Sequence, residues 1–168
     1  ILAGFNSQYT PLEVSRLAAL ARPAALVLQA DAAARLQPFL PGLTSVRHVV
    51  LIGADAGARR FEDLIAQASS TQAAALAARQ AQVQPGDDAL IVFTGGTTGT
   101  PKGARLSHAN IISNIDAQVR HLGFRHSDRL MLHLPMNHVS GAALITVGAL
   151  LTGATLVMLE RFQPAETL

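Results

Sequence analysis

Residues 93–103 read FTGGTTGTPKG and directly follow the apolar run ALIV at residues 89–92. Glycines at positions 95, 96 and 99 let the backbone adopt positive φ and bring its N–H groups close to a ligand, and the threonine hydroxyls add donors. No acidic residue occurs between residues 89 and 115, whereas Lys102 and Arg105 are cationic, and Lys102 is the only lysine of the chain. The stretch therefore predicts a loop that binds phosphate or another polyanion.

Two common phosphate loops do not fit this spacing. A Walker A loop needs Gly-Lys-Ser/Thr with the lysine at the start of a helix, whereas Lys102 lies between Pro101 and Gly103 and the next helix is predicted to begin after Ser107. The glycines also fail the G-x-G-x-x-G spacing of a dinucleotide-binding turn. From the residues alone, a glycine-rich hairpin with solubilising threonines remains the alternative.

The composition indicates a well-packed α/β protein. Hydrophobic residues make up 49% of the 168 residues and charged residues 14%, which excludes a strongly charged disordered chain. The net charge is +2 and the arginines are dispersed, so no nucleic-acid surface is predicted. The chain has no cysteine and no visible signal peptide, which indicates a cytoplasmic protein without disulfides.

Apolar runs alternate with helical patterns, which is typical of βαβ units around a mainly parallel sheet with flanking helices. We predict strands at residues 25–28, 46–52, 89–93, 129–134 and 154–159, and helices at residues 11–21, 31–40, 61–68, 108–122 and 141–151. Residues 69–82 are interpreted as a surface helix or linker. Thr10, Asp31 and Ser107 are the predicted N-caps. The uncharged run 142–159 reaches the lower limit for a membrane span, but we predict a buried helix that ends at Gly153 and then a buried strand.

The loop also supports a family assignment, because residues 93–103 resemble the phosphate-binding signature of the adenylate-forming superfamily at every position. That superfamily includes acyl-CoA synthetases, adenylation domains and luciferases, and its pattern is aromatic-Thr-Ser/Gly-Gly-Thr/Ser-Thr-Gly-x-Pro-Lys-Gly. The segments LSHAN (106–110), LPMNHVSG (134–141) and residues 6–13 resemble further family motifs. The resemblance implies that residues 1–168 are an incomplete part of an N-terminal AMP-binding domain with an acyl-CoA synthetase-like fold.

In this family, a carboxylate attacks ATP to form an acyl adenylate and pyrophosphate, and a thiol then takes the acyl group. The implied small molecules are ATP, Mg²⁺, coenzyme A and a carboxylic acid. The residues implied to hold the β- and γ-phosphates, or to let them approach, are Thr94, Gly95, Gly96, Thr97, Thr98, Gly99 and Lys102. Hydrogen bonds and a cation at these phosphates would stabilise the charge that develops on the leaving group.

The resemblance places His138 at the acyl pocket, near the carboxylate, as the candidate catalytic residue. From the residues alone, a histidine beside an apolar helix is more typical of a packed structural position. The small residues 140–143 would leave room for a bulky acyl or aryl group. His133 and His138, like His121 and His126, are five residues apart and lack nearby carboxylates, so no metal site is predicted.

The second motif, PMNHVSG, lacks the Phe-Asp core of amino-acid-activating domains and is closer to CoA ligases for fatty, aryl or related acids. A carrier-protein acceptor is one alternative, and a noncatalytic anion-binding fragment or degenerate relative is another. The family's magnesium-binding glutamate, ribose-binding aspartate and C-terminal domain normally lie beyond position 168. The chain is therefore expected to be a fragment, inactive by itself and prone to self-association through exposed apolar surface.

Overall fold

The computed structural model describes residues 1–53, 59–95 and 101–159. The strands are β1 (Leu2–Ala3), β2 (Ala25–Gln29), β3 (His48–Ile52), β4 (Asp88–Thr94), β5 (Lys102–Ser107), β6 (Arg129–Leu132) and β7 (Thr155–Met158). The α-helices are α1 (Pro11–Ala21), α2 (Ala30–Leu36), α3 (Phe61–Ala66), α4 (Ser70–Gln80), α5 (His108–Leu122) and α6 (Thr146–Thr152), with a 3₁₀-helix at Gln37–Gly42 and a π-helix at Ser140–Ile145. The chain forms two compact units: the first comprises Ile1–Asn6 and Gln84–Leu168, and the second comprises Ser7–Val83.

The second unit is built on the parallel pair β2 and β3, which α2 and the 3₁₀-helix connect. Leu26 of β2, Leu36 of α2 and Val50 of β3 are buried, and the amphipathic helix α1 buries Leu17 and Ala18. Burial of these side chains supplies the main stabilisation of the unit, because removal of apolar area from water dominates folding. Helix α4 buries no side chain among its described residues, as expected for the predicted surface helix.

The helix starts confirm two predicted caps and correct one. The Thr10 hydroxyl accepts a hydrogen bond from the Glu13 amide, and the Ser107 hydroxyl caps α5. Asp31 was predicted to cap α2 and does not, because the helix begins at Ala30, immediately after β2, without an intervening loop. Asp31 instead lies in the first turn and pairs with Arg35 at 3.4 Å.

The first unit contains two small sheets. In one, β1 runs parallel to β4 and β4 runs antiparallel to β5, and in the other β6 runs parallel to β7. Helix α5 follows β5, while the π-helix and α6 form the crossover from β6 to β7. Three of the four strand pairings in the described part of the chain are therefore parallel, which confirms the predicted mainly parallel α/β class.

Helix α5 packs against α6 and the π-helix through a narrow face. Ile115 is 2% exposed, and Ile111 and Val119, four residues to either side, are half-buried. The helical spacing of the apolar residues also places Ile112 and Leu122 toward this face, but both are exposed. Ile111, Ile115 and Val119 are spaced by four positions, and residues with that spacing lie on the same face of a helix.

The apolar run 142–159 forms a helix and then a strand, as predicted, but the predicted burial of the strand is wrong, because Thr155 and Met158 are exposed and the two residues between them are half-buried. The π-helix continues into α6, and Gly153 ends α6 with a φ of +70°, a conformation that glycine adopts without steric cost. Strand β7 follows at once. Within the ranges that the structure covers, no helix combines the length and the apolar content that crossing a membrane requires.

Candidate functional site

The predicted phosphate loop connects two antiparallel strands. In the register of β4 and β5, Thr94 lies opposite Lys102, and Phe93 lies opposite Gly103. Both Thr94 and Lys102 are exposed at the loop end of this hairpin, where β4 ends and β5 begins. The structure therefore brings together a hydroxyl and a cation that are eight positions apart in the sequence. Four further predicted site residues lie outside the described ranges, namely Gly96, Thr97, Thr98 and Gly99.

The hairpin corrects the predicted extent of the loop. Residues 93–103 were expected to form one loop, but β4 continues through Thr94 and β5 begins at Lys102. Lys102 is thus fixed in a strand by the backbone pairing of the hairpin. Gly95 has open space around it, since a Cβ built there would meet no other atom within 4 Å. The hairpin alternative and the phosphate interpretation are compatible, because the paired strands fix Thr94 and Lys102 at the two ends of the loop.

Aromatic packing supports β4 next to the loop end of the hairpin. The rings of Phe5 and Phe93 stack with centroids 5.5 Å apart and planes inclined by 13°. On the neighbouring strand, a Cβ at Gly103 would lie 3.1 Å from Ile91 Cγ2 and 3.6 Å from Phe93 Cε1. Gly103 therefore lets β5 pass close to these two side chains. No role was predicted for Gly103 from the sequence, because its position opposite Phe93 depends on the register of β4 and β5.

Arg105, which was expected to add positive charge near the phosphate loop, is paired with Asp88 instead. Its Nε donates a hydrogen bond to Asp88 Oδ2 at 2.7 Å, and this partner raises the pKa of the guanidinium. Side chains alternate between the two faces of a strand, so Lys102 and Arg105, three residues apart, lie on opposite faces of β5. Among the described residues of the hairpin, Lys102 is consequently the cation at the loop end.

His138 lies in an exposed turn directly before the π-helix. Its backbone amide donates to the Pro135 carbonyl at 3.0 Å, which closes the turn. Its ring nitrogen Nδ1 lies 3.2 Å from the Ser140 amide, which donates to it. Because Nδ1 accepts this hydrogen bond, the neutral imidazole carries its proton on Nε2. His138 is therefore oriented by the chain and presents a donor, which fits a contact with an anionic oxygen.

The π-helix packs closely against the segment before His138 at Gly141. A Cβ at Gly141 would lie 2.6 Å from the Pro135 carbonyl oxygen and 2.8 Å from that of Leu134, so no larger residue fits without displacement of the backbone. The Thr146 hydroxyl donates to the Gly141 carbonyl at 2.8 Å. The same carbonyl also accepts the i→i+5 hydrogen bond from the Thr146 backbone amide, so it has two donors at the end of the π-helix.

The N-terminal segment links the hairpin to the His138 turn. A Cβ at Gly4 would lie 3.0 Å from Asn137 Cα, so the backbone of Gly4 passes close to the residue before His138. The next residue, Phe5, stacks on Phe93 at the end of β4. Two successive residues therefore contact both of the motifs that the sequence analysis identified.

A cavity of about 280 Å³ lies between α5 and the π-helix. Of the four small residues that were predicted to border an acyl pocket, Ser140 and Ala143 line this cavity, whereas Gly141 and Ala142 do not. The full lining comprises Leu106, Asn110, Ile111, Asn114, Ile115, Gln118, Val139, Ser140, Ala143 and Leu144. The three amide side chains of α5 were missed by the sequence analysis, although their spacing of four residues places them on one helix face.

The ranges that the structure describes contain no group of three or more histidine, cysteine, aspartate or glutamate side chains that could hold a metal ion.

Comparison with known proteins identifies the family of the chain. The family described as "AMP-binding enzyme" matches residues 1–168. The chain is 31% identical to 4-coumarate–CoA ligase 3 of Oryza sativa subsp. japonica over 94% of its own length and 28% of that protein. It is 33% identical to long-chain fatty acid transport protein 3 of Homo sapiens over 84% of its own length and 21% of that protein.

A solved structure shows the same fold. The ATP-bound crystal structure of MatB from Rhodopseudomonas palustris superposes with a TM-score of 0.78 and 25% identity, covering 98% of this chain and 31% of that one. The chain thus spans about a fifth to a third of the length of these proteins. With a family match from the first residue to the last, and two relatives above 30% identity, this protein belongs to the AMP-binding enzyme family.

Proposed function

We propose that the whole protein activates a carboxylic acid with ATP through an acyl adenylate and then transfers the acyl group to coenzyme A. The observation that carries the proposal is the pairing of Thr94 with Lys102 at the loop end of the β4–β5 hairpin. Both residues belong to the segment that resembles the family's phosphate signature, and the chain matches that family. One relative is named a 4-coumarate–CoA ligase, and the structural neighbour was solved with ATP bound, which supports this reaction class.

In the first step, a carboxylate oxygen bonds to the α-phosphorus of ATP and the bond between the α-phosphorus and the bridging oxygen of pyrophosphate breaks. The leaving pyrophosphate gains negative charge. Lys102 and Thr94, fixed by the hairpin, would stabilise that charge together with the proposed loop residues Gly95, Gly96, Thr97, Thr98 and Gly99. A fixed site of this kind needs no reorganisation during the reaction, so its donors favour the transition state.

At the other end of the site, His138 would donate from Nε2 to an oxygen of the carboxylate or of the acyl phosphate. Its Nδ1 is already engaged by the Ser140 amide, which sets the orientation of the ring. The residues that follow, Val139 and Ser140, line the cavity. An acid bound with its carboxylate near His138 would therefore extend its hydrocarbon part along the π-helix.

The second step breaks the bond between the acyl carbon and the adenylate oxygen and forms a thioester, with AMP as the leaving group. Coenzyme A is the proposed thiol, and a carrier-protein thiol is the competing acceptor. Mg²⁺ would neutralise the phosphate oxygens during the first step. The exposed Lys102 and the absence of acidic residues between residues 89 and 115 suit the polyphosphate itself, and the proposed metal ligands are residues of the whole protein outside residues 1–168.

The proposal is tested by acid-dependent exchange of labelled pyrophosphate into ATP, measured on the whole protein with a panel of carboxylic acids. Thr97→Val combined with Lys102→Ala is expected to slow exchange by roughly 100-fold or more, since loss of one transition-state donor alone costs about that much. Carboxylate binding, measured by calorimetry, should change little.

Arg105→Ala is the matched control, because this cation lies three residues away but is paired with Asp88. It should leave exchange close to that of the wild-type protein. Unchanged exchange in the double variant would contradict the assigned phosphate site. ATP binding without exchange for any acid would instead support a noncatalytic nucleotide-binding protein.

A further inference from the structure

The cavity between α5 and the π-helix has an apolar floor. Ile115 and Ala143, which form part of its lining, are 2% and 3% exposed. Its volume of about 280 Å³ is almost twice that of an engineered apolar cavity of roughly 150 Å³ that binds benzene. The space is therefore large enough for a substituted aromatic ring.

The charge of the lining limits which acids fit. All ten described residues that line the cavity are uncharged. A second carboxylate or a sulfonate on the substrate would enter without a cationic partner, and an unpaired ion is costly to remove from water. The cavity thus disfavours a dicarboxylic or sulfonated acid and favours a neutral hydrocarbon body.

The rim of the cavity is polar and lies along α5. Asn110, Asn114 and Gln118 are spaced by four residues, so their side chains lie on one face of the helix. The Gln118 side-chain amide donates to the Asn114 side-chain carbonyl. In either orientation of the two amides, this pair still offers donor and acceptor atoms to a bound molecule.

We propose that this cavity selects an aryl carboxylic acid that carries a hydroxyl or another uncharged hydrogen-bonding substituent, with Asn114 and Gln118 as the residues that determine this preference. The inference rests on the proposed carboxylate activation and deepens it. The carboxylate lies at the His138 end, the ring packs over Ile115 and Ala143, and the substituent meets the amide pair.

The test uses the whole protein and acid-dependent pyrophosphate exchange with matched acids: benzoate and para-hydroxybenzoate, cinnamate and para-hydroxycinnamate, hexanoate and succinate. The hydroxylated member of each aryl pair is expected to give a kcat/KM about tenfold or more above its partner, because its hydroxyl can hydrogen-bond to the Asn114–Gln118 pair, whereas the plain ring displaces water from the pair without replacing the hydrogen bonds. In Asn114→Leu combined with Gln118→Leu, this ratio should fall to about one.

Ser113→Leu is the matched control, since Ser113 lies on α5 but does not line the cavity. It should keep the wild-type ratio. Asn114→Ala serves as a milder variant, and thermal unfolding reports whether each variant is folded.

The outcomes separate the two proposals. An unchanged ratio in a folded double variant, a wild-type ratio near one, or exchange with hexanoate or succinate alone would overturn the inference and leave carboxylate activation standing. Exchange with no acid at all would overturn both.

Discussion

The ring of Phe5 stacks on the ring of Phe93, with centroids 5.5 Å apart and an interplanar angle of 13°. Phe93 is followed by Thr94, the last residue of β4, which lies opposite Lys102. The N-terminal segment therefore contributes directly to the position of the proposed phosphate site, although it lies almost ninety residues away in sequence.

Phe5→Leu keeps most of the apolar volume but removes the aromatic pair. We expect it to lower the free energy of unfolding by about 1 kcal/mol, measured by urea denaturation, and to raise the KM for ATP in the whole protein, because the end of β4 is held less firmly. Phe61→Leu, at an exposed position of α3, is the control and should leave this KM unchanged. A normal KM in Phe5→Leu would show that the stack does not position the site.

Gly141→Ala should be strongly destabilising, since its Cβ would lie 2.6 Å from the Pro135 carbonyl oxygen. Overpacking of this kind typically costs about 1–3 kcal/mol. Gly86→Ala is the control, because a Cβ at Gly86 meets no atom within 4 Å. Urea denaturation of the two variants checks the prediction, and equal stability would mean that the turn before the π-helix adjusts freely.

Glu13 predicts a pH dependence of stability. Hydrogen bonds from the Thr10 backbone amide and hydroxyl lower the pKa of the Glu13 carboxyl from its usual 4.5. A lowered pKa in the folded state means that the stabilisation is fully present above the unfolded value and is lost as the pH falls through the folded value. Glu13→Gln removes this titration while keeping the side-chain shape.

The stability difference between wild-type protein and Glu13→Gln should therefore be constant above pH 4.5 and shrink below it. Urea midpoints across this range provide the measurement. A difference that grows as the pH falls would contradict the capping interaction.

The sequence predicted the parts of the fold that depend on local signals. The capping hydroxyls of Thr10 and Ser107 are short-range features, and the apolar runs of the parallel strands are continuous. The family motif added the expected phosphate and acyl positions, of which Thr94, Gly95, Lys102 and His138 lie in the described structure.

Features that depend on pairing over distance were not predicted. The start of β5 at Lys102 depends on its register with Thr94, and KGARLS has no clear apolar alternation of its own. The π-helix depends on the close approach of Gly141 to the carbonyl of Pro135, which lies in the preceding turn. Asp31 shows the opposite case, since a residue type favoured at caps lies two positions after the actual N-cap, Gln29, when a helix directly follows a strand.

The central claim is that Lys102 acts on the leaving pyrophosphate, and separate measurement of the two half-reactions in the whole protein tests it most directly. With Lys102→Ala, pyrophosphate exchange should fall by roughly 100-fold, whereas thioester formation from supplied acyl adenylate and coenzyme A should proceed at the wild-type rate. Arg105→Ala should affect neither step. Equal loss of both half-reactions, or loss of thioester formation alone, would contradict the account.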